Sequence, residues 1–178
     1  WPAAIGMVSG YSARGFAVIL NAVSSFEGAN IKGYPVLLFL RKVVEDASDF
    51  PEALELLRGQ LLAAPALFTL VGTENRERAV IERSPTRNAV RWVEPELPLI
   101  TTNHYCSLSE AVASSECCGR FEAMFDRLKG FDFDTEPEDE YLLRLLHDPA
   151  IRQEITAQHV IVRPGRSGMR FLVPKFGG

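Results

Sequence analysis

Two asparagines, Asn21 and Asn103, each close an apolar, strand-like run where the chain should pass into a loop. A side-chain amide at a strand end carries two N–H donors and no charge. It suits the stabilisation of an oxyanion developing in a cleft. Asn103 ends the run Leu99-Ile100-Thr101-Thr102 and is followed by His104 and Tyr105. Arg120 stands in a predicted helix just ahead of an apolar face that begins at Phe121. Each residue also has a plainer reading: asparagines open turns, and helical arginines face solvent. His104 lies two residues from Cys106, a spacing that suggests a Cys–His nucleophile pair, although no third orienting group can be named. Cys117 and Cys118, adjacent in a predicted helix, read as small core residues.

The three cysteines and three histidines show neither a CxxC nor an HxxxH spacing, so no metal site and no cofactor is predicted. An odd cysteine count with an adjacent pair makes a poor disulfide framework. With 178 residues, 47% of them hydrophobic and 24% charged, the chain is globular and can bury a sizeable core. Its net charge of −4 and lack of a basic stripe argue against a nucleic-acid partner. The longest apolar run, Val36 to Leu40, is too short to span a membrane. No signal peptide is visible, an absence that carries little weight beside the odd start, so localisation is left unknown with the cytoplasm favoured. Trp-Pro-Ala-Ala is an odd natural start, and we read it as the interior of a strand connection whose upstream part is missing.

The elements that must position these residues follow from periodicity. Residues 3–9 and 15–21 are apolar runs around a glycine-bounded turn, predicting a β-hairpin buried on both faces. Residues 34–48 predict a helix with Leu40, Val43, Val44 and Ala47 on one stripe. A second helix starts at Asp49-Phe50-Pro51-Glu52 and buries Leu54, Leu57, Leu61 and Leu62. Four strands are then expected at 66–71, 78–83, 89–93 and 97–102, joined as an antiparallel meander. Helices at 108–129 and 140–146 flank an acidic loop at 132–139, and 157–162 with 169–173 form a last hairpin. Runs of each type, rather than strict alternation, predict an α+β fold with antiparallel sheets and outer helices. Nothing in the sequence suggests a second domain, so residues 1–178 are read as one unit.

Several of these segments carry a family resemblance. Gly6-Met7-Val8-Ser9-Gly10-Tyr11-Ser12-Ala13-Arg14-Gly15-Phe16 through Asn21 looks like the hairpin of the N-terminal-nucleophile hydrolases, with Ser12 in place of an asparagine in the turn. The helix pair around Leu40–Ala47 and Glu52–Leu57 resembles that family's paired helices. Ala64–Phe68, Ala79–Arg83 and Thr102-Asn103-His104-Tyr105 follow its sheet order, and Ser114-Ser115 with Arg120 resembles the helix start that comes after its meander. The similar group comprises choloylglycine hydrolase, penicillin V acylase, acid ceramidase-like enzymes and acyl-CoA:6-aminopenicillanate acyltransferases.

The resemblance implies a four-layer αββα sandwich, incomplete at its N-terminus, and a chain that is the C-terminal part of a larger domain. It implies an amidohydrolase or acyltransferase acting on a C–N amide bond. In the family an N-terminal cysteine attacks the carbonyl and its own α-amine is the base. Asn21 and Asn103 map to the asparagines of the oxyanion hole, and Arg120 to the arginine that supports the nucleophile. The nucleophile itself would lie in an upstream segment or chain, which becomes an expected partner beside a small acylated amide. Tyr11, Phe26, Phe39 and Tyr105 are candidate walls of an acyl pocket or members of the core. A non-catalytic scaffold of the same fold, dimerising across an open sheet edge, is the alternative, followed by a hydrolase using Cys106 and His104.

Overall fold

The computed structural model describes residues 5–108, 119–129, 131, 139–154, 156, 158–165 and 169–172. Its main sheet is built from β1 (Ser9–Ser12), β2 (Phe16–Asn21), β3 (Ala66–Val71), β4 (Arg78–Arg83) and β5 (Asn88–Trp92). These run antiparallel in the order β1-β2-β3-β4-β5. Helices α1 (Val36–Asp46) and α2 (Phe50–Gly59) connect β2 to β3 and cover one face. The opposite face looks toward α3 (Gly119–Leu128), α4 (Asp139–His147) and the two-stranded sheet β6 (His159–Val162) with β7 (Met169–Leu172). The result is an α+β fold ordered helix, sheet, sheet, helix.

Alternation along the strands assigns the two faces. Phe16 and Val18 of β2, Phe68 and Leu70 of β3 and Ile81 of β4 meet Phe39, Leu40, Val43 and Leu57 of the helices. Their neighbours Ile19, Asn21, Thr69, Val71 and Glu82 face the other way. The central strands are thus buried on both sides, which explains their nearly continuous apolar sequences. Asp49 caps α2 by accepting the Glu52 N–H at 2.9 Å, with Pro51 in the first turn. Arg14 caps the end of α1, donating to the carbonyls of Glu45, Asp46 and Ala47 at 2.8–3.1 Å.

Three expectations need correcting. The first hairpin is displaced: Ser9–Ser12, rather than residues 3–9, pairs with β2. Gly15, at φ +88°, makes the turn. Gly10 lies inside the strand, where a Cβ would sit 2.8 Å from Val44 of α1. Its glycine serves close helix approach, not a turn. The second helix stops at Gly59, so Leu61 is exposed while Leu62 is buried from the following loop. Finally, residues 97–102 form no strand. Pro95 and Pro98 cannot donate to a ladder. The segment crosses the inner face of the sheet, its carbonyls held by side chains: Arg78 reaches Leu97 at 3.1 Å and Arg91 reaches Ile100 at 2.7 Å. Thr69 and Thr101 join through their hydroxyls at 2.9 Å. The acidic loop at 132–138 and the first turns of the 108–129 helix lie outside the described residues.

Core and cap should separate in magnitude. Phe68→Ala, at a fully buried site between helix and sheet, should cost about 3–5 kcal/mol. Asp49→Ala should cost about 1 kcal/mol. Urea denaturation of both variants checks the ratio; a milder loss for Phe68→Ala than for Asp49→Ala would contradict the assigned core.

Candidate functional site

Glu82 organises this side of the sheet. It projects from the inner face of β4 and is fully buried. Its Oε2 accepts the N–H groups of Ser107 and Leu108 at 2.8 and 2.7 Å, and the Cys106 N–H lies 3.0 and 3.1 Å from its two oxygens. Successive backbone N–H groups of this kind form an anion-binding nest. Here a carboxylate of the same chain fills it. Arg91 Nε stands 3.5 Å from Oε1, an ionic contact beyond hydrogen-bond geometry. A buried carboxylate would be costly without such partners. With them it fastens residues 106–108 to the sheet.

That anchor positions the residues just before it. Tyr105 donates its hydroxyl to the Arg83 carbonyl at 2.7 Å. His104 places Nδ1 2.9 Å from the Thr102 hydroxyl and its ring edge-on to Phe121. Asn103, on the exposed shoulder, donates Nδ2 to the Ala22 carbonyl at 2.7 Å. Its Oδ1 accepts from Arg120 at 2.7 Å. Among the described residues, one N–H of the Asn103 amide remains beyond these two bonds. Ala22 directly follows Asn21, so the ends of two distant strand-like runs and the start of α3 meet at one amide.

The loop that carries Ala22 has its own anchor. Glu27 accepts from Ser84 Oγ at 2.6 Å, Thr86 Oγ1 at 2.9 Å, Thr86 N at 3.0 Å and Arg87 Nε at 2.5 Å. Burial pushes its carboxyl upward, but the hydrogen bonds from Ser84, Arg87 and Thr86 prevail and bring it to about 2.

An open cleft of about 560 Å³ runs beside this cluster. Ile19, Asn21 and Val71 form its floor, and Met124, Leu145 and Val160 stand opposite. A smaller pocket of about 230 Å³ adjoins it, bordered by Arg120, Arg152, His159 and three threonines. Among the described residues no three His, Cys, Asp or Glu side chains gather as metal ligands, and no helix is long and apolar enough to cross a membrane.

The sequence candidates therefore divide. Asn103 and Arg120 are in direct contact, and Asn21 lines the cleft one residue from Ala22. Tyr11 is half-buried on the inner face of β1. Phe26 is exposed in the loop carrying Glu27. Phe39 belongs to the core on the helix face, with Tyr34 and Phe68. Tyr105 spends its hydroxyl on Arg83. Cys106 is exposed, while Cys117 and Cys118 lie outside the described residues. Glu82 and Glu27 were not among the candidates. The one sequence signal for Glu82 is a carboxylate inside an otherwise buried strand, which demands a partner.

The sequence matches the family described as acyl-coenzyme A:6-aminopenicillanic acid acyl-transferase over residues 2–150. The fold is similar to that of the Caenorhabditis elegans N-acylethanolamine-hydrolyzing acid amidase ortholog, at a TM-score of 0.72 and 21% identity. That alignment covers 94% of this chain and 74% of the other. No curated protein sequence matches.

Two outcomes are expected here. Glu82→Gln places an amide N–H₂ among N–H donors. It should cost on the order of 3 kcal/mol and speed amide hydrogen exchange at residues 106–108; unchanged exchange there would refute the anchor. For Glu27, the folded carboxyl titrates near 2, below its ordinary 4.5. Its contribution is complete above 4.5 and is lost as pH falls from 4.5 toward 2. Glu27→Gln should therefore flatten the acid limb of the stability profile in that window, which chemical denaturation at successive pH values would reveal.

Proposed function

From the chain's membership of the acyl-coenzyme A:6-aminopenicillanic acid acyl-transferase family, a group of N-terminal-nucleophile hydrolases, we propose that it cleaves or transfers the acyl group of a C–N amide, with the nucleophile supplied by an upstream segment or chain. The observation that carries this reading is the Asn103 amide. It is fixed between Arg120 and the Ala22 carbonyl, with an N–H to spare, beside a cleft floored by Asn21.

In this reading a thiolate adds to the amide carbonyl, and the oxygen becomes an oxyanion. The free Asn103 N–H and the Asn21 amide supply donors for it. Arg120 adds a fixed positive charge and holds the Asn103 amide in one orientation. The C–N bond then breaks, the departing amine takes the proton that the thiol gave to its base, and the acyl group stays on sulfur as a thioester. Water or a second amine accepts it in the next step. The apolar cleft has the volume and lining of an acyl-chain site. The fold shared with an N-acylethanolamine-hydrolyzing acid amidase supports an acyl amide as substrate.

The test joins this chain to its upstream coding segment and follows amine release from N-acyl amides. Turnover is expected. Asn103→Ala should lower kcat by about 10²–10³ with a smaller effect on KM. Absence of turnover across an acyl-amide and thioester panel by the folded, joined protein would refute the enzymatic reading.

A further inference from the structure

We propose that the small pocket bordered by Arg120, Arg152 and His159 is an anion subsite, which takes a carboxylate or phosphate carried on the non-acyl half of the substrate. The inference rests on the acyl-amide reading above and extends it to a substrate class.

Four observations carry it. The pocket holds about 230 Å³, room for a carboxylate or phosphate group. Two guanidinium groups border it, and no carboxylate does so among the described residues. Three threonines, Thr101, Thr102 and Thr156, add hydroxyls to its wall. His159 is buried at 6% exposure, yet its Nε2 has no hydrogen-bond partner among the described residues. A buried ring nitrogen left unpaired is destabilising unless a ligand completes it.

The electrostatics agree. Burial, with the neighbouring His147 and Arg152, pushes the His159 imidazole below its ordinary range. Among the described residues, the titratable groups that border it or stack on it are His147 from α4, Arg152 from the turn after α4 and Arg120 from α3, all basic. An arriving anion would reverse this balance by pairing with both guanidiniums and drawing a proton onto the ring.

Position links the pocket to the reaction. It shares Ile100, Thr101, Met124 and Leu146 with the apolar cleft, so the two cavities adjoin. Arg120 borders the pocket and also bonds Asn103. A ligand with its chain in the cleft and an anion in the pocket would lie along Ile100 and Thr101, in the segment that leads into Asn103. Arg152 lies apart from the proposed catalytic cluster, which makes it a specificity residue.

Calorimetric binding to the purified chain tests this without turnover. The probes are N-decanoylglycine, its neutral counterpart N-decanoylethanolamine, and decyl phosphate. At least one anionic probe should bind ten-fold or more tighter than the neutral amide. Arg152→Gln should remove that advantage while leaving the neutral amide's affinity unchanged. In an NMR pH series the favoured anion should raise the His159 titration midpoint. Preference for the glycine conjugate would assign a carboxylate, and preference for decyl phosphate a phosphate. Equal affinity of all three probes, or an anion preference untouched in Arg152→Gln, would overturn the subsite. Anion preference in a protein whose joined form turns over no amide would refute the enzymatic reading and leave the subsite standing.

Discussion

The buried carboxylate of Glu82 holds the inner side of the sheet together. The inner face of the sheet meets a stretch of chain, residues 97–108, that is neither helix nor strand. Irregular backbone against a buried face leaves N–H groups with nowhere to go. Glu82 supplies acceptors for three successive ones. The exchange is mutual, since an ionised carboxylate at zero exposure would be untenable without donors. Arg91 completes the arrangement from the adjacent strand. It approaches Glu82 and spends another nitrogen on the Ile100 carbonyl, so one strand pair fixes the segment at two points.

A second carboxylate repeats the device at the surface. Glu27 gathers Ser84, Thr86 and Arg87 from the β4–β5 turn and thereby holds the loop that follows β2. The two anchored loops meet where Asn103 donates to Ala22. At the junction itself apolar packing contributes little, because Asn103 and Ala22 are both exposed. Their position is set by hydrogen bonds to charged groups, which are shorter and more directional than apolar contact. This suits a site where an amide must hold its orientation beside an open cleft.

The sequence made the regular elements readable because apolar periodicity survives wherever a helix or strand buries one face. The stripe of Leu40, Val43, Val44 and Ala47, and the Asp49-Pro51 start, are local signals with local causes. Residues 97–102 were misread because Leu99 and Ile100 look strand-like, while the partners that bend the segment across the sheet, Arg78 and Arg91, lie far from it in sequence. Glu82 escaped notice for the same reason. Its hydrogen-bond donors are 24–26 residues away and are backbone groups, which leave no mark on residue type. Asn103 and Arg120 could be named from their types and from the family resemblance. Their contact could not, since it depends on how α3 enters against the loop.

That contact decides what the Asn103 side chain can do. The two ends of an amide look alike in shape and differ only in what they donate or accept. Here a guanidinium on one side requires an oxygen, and a backbone carbonyl on the other requires an N–H₂. The environment therefore fixes the orientation from both ends. Aspartate would match Arg120 but set a carboxylate against the Ala22 carbonyl, and leucine would satisfy neither. Of residues this size, only an amide meets both partners and still keeps an N–H for a third. Glu82, Glu27 and Arg120 each act on the same outcome from a different element: an N–H donor near an apolar cleft, whose direction is set by the chain itself.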